Sequence, residues 1–61
     1  MGELMSDLLK QLSNTVAFLR MAAIELRRIA ERAPDIAVDL IHIASQLDRD
    51  ADDLSRAADL G

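Results

Sequence analysis

Apolar residues recur in steps of four and three along nearly the whole chain, and a single proline interrupts them. The first run is Met5, Leu9, Leu12, Val16, Leu19, Ala23, Leu26 and Ala30. The second is Ala37, Leu40, Ala44, Leu47, Ala51, Leu54 and Ala58. This is the a/d pattern of a heptad abcdefg, which belongs to α-helices. A strand, whose side chains alternate with period two, cannot produce it. Pro34 lacks an N–H and pushes Ala33 out of the α region, so the first helix should stop near Arg32 and a second should begin with proline in its first turn. Asp35 is then expected at or near the cap of the second helix, and Arg27, Arg28 and Arg32 suit the negative end of the first helix dipole. One long helix kinked at Pro34 is the alternative; the heptads that restart after it favour two. The reading is all-α, a helical-hairpin domain over residues 1–61. Helix 1 is expected at about 3–32, the turn at about 33–35 and helix 2 at about 35–60. Each helix has about 27–30 residues, roughly 40–45 Å at 1.5 Å per residue. Two equal helices joined by so short a turn fold back antiparallel.

The a positions from Ala23 to Ala58 are alanines and the d positions are mostly leucines, so small and large residues can interdigitate at close helix spacing. The apolar surface is wider than one seam. Leu8, Ala22 and Ile29 flank the first run at g, Ile36 and Ile43 flank the second, and Ile41 lies on the e side. The stretch from Val16 to Ile24 is apolar nearly all round, broken only by Arg20. A helix apolar on several sides needs several neighbours, and one seam hardly offsets roughly 1–2 kcal/mol of backbone ordering per residue. Self-association is the expected remedy, with a homodimeric four-helix bundle as its product. A trimer, a tetramer or a heteromeric partner would satisfy the same stripes. The expected oligomer core is Leu9, Leu12, Val16, Leu19, Ala23, Leu26, Leu40, Ala44, Leu47, Ala51 and Leu54. With the loops at opposite ends, helix 1 runs parallel to the partner's helix 2. Arg20 is then expected near Asp50, and Arg27 and Arg28 near Asp59, of the other chain.

Composition removes several functional classes. The 61 residues contain no cysteine, hence no disulfide framework, thiolate zinc site or thiol nucleophile. Hydrophobic residues make up 51% of the chain, which opposes intrinsic disorder. No run of about 18 uncharged apolar residues exists to span a membrane. The start, Met-Gly-Glu-Leu-Met-Ser-Asp, lacks a basic n-region, so no signal peptide and a cytoplasmic location are expected. Charge is uneven: residues 1–33 carry five basic and four acidic groups, residues 34–61 two basic and seven acidic, or +1 and −5. The acidic whole opposes broad attraction to nucleic acid, and it opposes a membrane-surface role because such helices are typically cationic.

No constellation reads as an enzyme, and no cofactor or metal is expected. Asp39 and His42 have the Asp-x-x-His spacing of di-iron bundles, but they occupy c and f positions, which face solvent, and His42 is the only histidine. As a phospho-acceptor His42 lacks a following acid; Ile43 stands there. Ser6, Ser13, Ser45 and Ser55 have no base at a nucleophile's spacing. The run Asp48-Arg-Asp-Ala-Asp-Asp lacks the glycine and distal glutamate of a calcium loop. Phe18 and Met21, at c and f, either pack in a broader oligomer core or form an exposed patch for a partner.

The segment Asn14-Thr-Val-Ala-Phe18-Leu-Arg20 resembles helix 1 of the Rop (repressor of primer) family, and Ala51-Asp-Asp-Leu54-Ser-Arg56 is similar to its helix 2. Both matches keep the heptad register, and together they cover about a fifth of the chain. The resemblance implies an antiparallel dimer of helical hairpins that binds paired RNA loops through the helix 1 face. The contacts it implies are Asn14 and Phe18. Lys10 neighbours them by position, and Met21 and Arg28 lie on the same helix. The chain departs from the family at Ala22, where a polar contact residue is usual, in the flanking lysines, and in having Pro34 in its turn. The function expected from the residues is that of a non-enzymatic adaptor or regulator working through protein contacts, with itself as first partner. An RNA-binding regulator is the alternative.

Overall fold

The computed structural model describes residues 2–60, with side chains from Leu4 to Asp59. Helix α1 spans Gly2–Arg32 and α2 spans Ala37–Leu60, and the two pack against each other as a hairpin. The proline does what its chemistry requires. Ala33 leaves the helical region at φ −130° and ψ 70°, as the clash with the following proline ring demands. Its N–H still reaches the Ala30 carbonyl at 3.4 Å. Pro34–Ile36 then form one 3₁₀ turn, in which the Ile36 N–H donates to the Ala33 carbonyl at 3.1 Å and the Ala37 N–H to that of Pro34. The second α-helix thus starts two residues later than expected. Asp35 lies in the first turn after the bend, and the capping position is Ala33, whose methyl group accepts no hydrogen bond.

The helices are unequal, 31 residues against 24, where equal lengths were expected. Part of the linking chain is spent on the 3₁₀ turn. Register follows from the bridge between Arg20 and Asp52. Leu60 stands eight residues beyond Asp52, so α2 reaches back only to the level of about Leu12. Residues 4–11 of α1 therefore extend past it by roughly 12 Å. Exposure along the a/d seam shows the same boundary. Ala23 and Ala30 are buried, Leu12, Val16, Leu19 and Leu26 are half-buried, Leu9 is 40% exposed and Met5 59%.

At the centre of the hairpin the seam is closed by small side chains. Ala23, Ala44 and Ala51 are fully shielded and Ala30 nearly so, while Leu40, Leu47 and Leu54 are half-buried beside them. Alanine at a lets the helix backbones approach closely, and the leucines at d fill the gaps between layers. The result is a rod of 50 × 15 × 10 Å with a radius of gyration of 14.5 Å, against about 10.5 Å for a compact chain of this length. Its accessible surface is 4878 Å², about 1,000 Å² more than a compact monomer of this mass exposes. Among the described residues no helix is long and apolar enough to cross a membrane.

Candidate functional site

Two helices lying side by side make a layer with two broad faces. The e positions point to one face and the g positions to the other. The e face is bridged by ion pairs. Arg20 meets Asp52 at 3.0 Å and Arg27 meets Asp48 at 2.8 Å, all four side chains being about half exposed. Within the single hairpin Arg20 and Arg27 find carboxylates of their own chain, because the antiparallel register sets their e edge against the e and b positions of α2. Arg28 turns to Glu25, one turn back, at 3.3 Å. Ile24, Val38 and Ile41 also lie on this side, and Ile41 lines a shallow depression with Arg27, Ala30, Glu31 and Ala37.

The g face has a different chemistry. From the turn outward it carries Ile36 of the 3₁₀ turn, then Ile43 and Asp50 of α2 beside Ile29 and Ala22 of α1, then Thr15, then Leu8. At its rim stand the c residues, Phe18 and Leu4 among them. No ion pair crosses this face among the described residues. Its large apolar side chains are all open: Phe18 is 70% exposed and Leu4 69%, and Leu8, Ile29, Ile36 and Ile43 are close to half exposed. Read together, the c and g positions of α1 form a second run, Leu4, Leu8, Gln11, Thr15, Phe18, Ala22, Glu25 and Ile29, again in steps of four and three. That run was the signal for this face; attention to the a/d seam alone passes over Leu4.

The residues singled out for RNA or partner contact lie together. Lys10, Asn14, Phe18, Met21 and Arg28 fall on one exposed ridge of α1 away from α2, spanning about 27 Å at 1.5 Å per residue. Only Lys10 and Arg28 bring positive charge to it, and Arg28 already meets Glu25. Thr15 is turned inward to its own helix, donating to the Gln11 carbonyl at 2.9 Å. On α2, Gln46 donates to Asp50 at 2.9 Å, Arg49 donates to Gln46 at 3.0 Å, and Arg56 pairs with Asp53. His42 is exposed on the outer side of α2, and the described residues contain no cluster of three or more potential metal ligands. A second depression is lined by Glu25, Arg28, Ile29 and Arg32. Of the expected oligomer core, Ala23, Ala44 and Ala51 are sealed within one chain, Leu12, Val16, Leu19, Leu26, Leu40, Leu47 and Leu54 are partly covered, and Leu9 stands open.

No protein-family model, no curated protein and no solved structure matches this chain.

Proposed function

We propose that this chain is a small non-enzymatic helical hairpin that works through protein–protein contacts as an adaptor or regulator, with a second copy as its first partner in a four-helix bundle. One observation carries the reading. Among the described residues, the side chains buried within the chain are four alanines, while twelve large apolar side chains are 40–70% exposed. A solvated monomer rarely leaves so many large apolar side chains open, and large exposed apolar patches mark contact sites. The surface in excess of a compact monomer, about 1,000 Å², is close to the roughly 800 Å² that each partner contributes to a stable interface.

The exposed ridge of Lys10, Asn14, Phe18, Met21 and Arg28 supports an RNA-binding regulator as the second reading, because a lone aromatic among polar and basic groups can stack on a base. The net charge of −4 weighs against it. Light scattering across a concentration series, combined with circular dichroism, tests the first reading. A helical dimer supports it, and a well-folded monomer at micromolar concentration overturns it. A gel shift with structured RNA at low salt tests the second. Binding that weakens steeply with added salt supports it, and no shift removes it.

A further inference from the structure

The g face is divided along its length. Next to the turn its central row of side chains is isoleucine: Ile29 of α1, Ile36 of the 3₁₀ turn and Ile43 of α2, each close to half exposed. Farther from the turn the same row holds Ala22 and Thr15 of α1 and Asp50 and Ala57 of α2. Charge is divided across the width of the face. At c and g, α2 carries Asp39, Asp50 and Asp53 and no cation, although Arg56 reaches Asp53 from the outer side. From Gln11 to Arg32 the same positions of α1 carry Arg32 and Glu25, and Glu25 already meets Arg28. One edge of the face is therefore acidic and the other close to neutral.

An apolar patch confined to one end of a rod needs apolar surface brought to that same end. We propose that a second copy of this chain brings it with its turn at the same end. Two hairpins stack g face on g face about a two-fold axis running along the rod, and Ile29, Ile36 and Ile43 of both copies form one cluster beside the two turns. This rests on the self-association reading above and replaces the opposite-end arrangement expected from the sequence. The axis sets each α1 over the partner's α2, with every residue at the level of its own copy. The neutral edge of one hairpin thus covers the acidic edge of the other. The bridges Arg20–Asp52 and Arg27–Asp48 fix the levels of the two helices, and Arg32 then lies within about one helical turn of the partner's Asp39. Asp50 meets the partner's Ala22, the smallest side chain in that row of α1. Exposed charge pairs add little stability, but they choose between orientations.

Two other ways of joining the same faces do less. With the turns at opposite ends, α2 lies over the partner's α2. Two acidic edges then face each other, and the isoleucines lie over the row of Ala22, Thr15 and Ala57. With only the turn ends overlapping and the rods pointing apart, isoleucine meets isoleucine, but the rest of each face stays open, Phe18 at 70% exposure included. The same-end stack joins the isoleucines and also brings Phe18 beside the partner's Ala57 and Asp53.

Spin labels on the outer f positions of α1 test the geometry without touching the interface. The chain has no cysteine, so Asn14→Cys, Met21→Cys and Arg28→Cys can each be labelled singly and the distance between copies measured by double electron–electron resonance. An axis along the rod gives no axial offset between equivalent residues, so the expected result is nearly the same distance at all three positions. An axis across the rod changes the offset by about 3 Å for every residue away from it. No placement of such an axis makes the three distances equal. A minimum at position 14 or 21 would indicate turns at opposite ends, and a steady increase from position 28 to position 14 would indicate overlapping turn ends. Either pattern, in a sample that light scattering shows to be dimeric, overturns the same-end stack and leaves self-association standing. An oligomer larger than a dimer likewise overturns this pairing alone. A monomer by light scattering overturns both.

Discussion

Two stretches of α1 carry the same heptad pattern and meet different fates. From Val16 to Ala30 the a and d side chains are buried or half-buried; from Leu4 to Leu9 the same kind of side chain stands open. Nothing in α1 itself distinguishes them. The difference is the neighbour: α2 runs beside the first stretch and stops short of the second. A heptad therefore states which edge of a helix seeks cover, and the lengths and register of the other elements decide where that cover is found. Where the chain supplies it, alanine and leucine interlock. Where it does not, the edge stands open in the single hairpin.

The sharpest way to break this contrast is to spoil the covered stretch. Ala44 is fully shielded between the helices. Ala44→Asp places a carboxylate where no partner waits, a change costing several kcal/mol, comparable to the whole stability of a chain this small. The expected outcome is loss of the helical circular dichroism signal at micromolar concentration. A charge of this kind at Leu4 should leave the hairpin folded and act on association alone.

Next in size is a comparison of the two faces. Ile29 on the g face and Ile24 on the ion-paired side are almost equally exposed, so in a monomer their replacement by glutamine should be equally harmless. If the proposed self-association uses the g face, Ile29 is covered in both copies. Ile29→Gln should lose about 1 kcal/mol per copy, or roughly 30-fold in the dimer dissociation constant, measured by sedimentation equilibrium. Ile24→Gln should change it by less than about threefold. Equal effects at the two positions would mean that the faces are not used differently.

Dilution sharpens the contrast more gently. Binding that favours the folded state raises the melting temperature with concentration, by a few degrees per tenfold for a domain of this size. In hydrogen exchange, the amides of residues 4–11 should lose protection on dilution before those of residues 16–30. Simultaneous loss along α1 would show that the overhang is not a separate cooperative unit.

How much of this was legible beforehand follows the same division. Two helices, their a/d seam and the bend at Pro34 are local consequences of spacing and of proline chemistry, and the heptads carried them. The extra 3₁₀ turn at Pro34–Ile36 was not legible, because Asp35 looked like a cap and the geometry of the bend depends on both helices at once. The partners that Arg20 and Arg27 find within the chain were not legible for a related reason. Which e residue meets which acid depends on the interhelical register, which the close fit of Ala23, Ala30, Ala44 and Ala51 sets and no pattern within one helix records. For the candidate contact residues, positions b, c and f were enough to place Lys10, Asn14, Phe18, Met21 and Arg28 on the outside, but not to say what meets them there.

The ion pairs themselves should matter least. Arg27 and Asp48 approach to 2.8 Å, yet both side chains are near 40% exposed, where water competes for each charge and long side chains lose rotamer freedom in pairing. A double-mutant cycle with Arg27→Ala and Asp48→Ala should give a coupling below about 1 kcal/mol that shrinks further with added salt. Such a pair contributes orientation more than stability: it holds the e edges of α1 and α2 together and gives that face hydrated groups that a second hairpin gains little by covering. A coupling several times larger, insensitive to salt, would mean that the e face is itself desolvated in the assembled protein, and the assignment of the two faces would have to be exchanged.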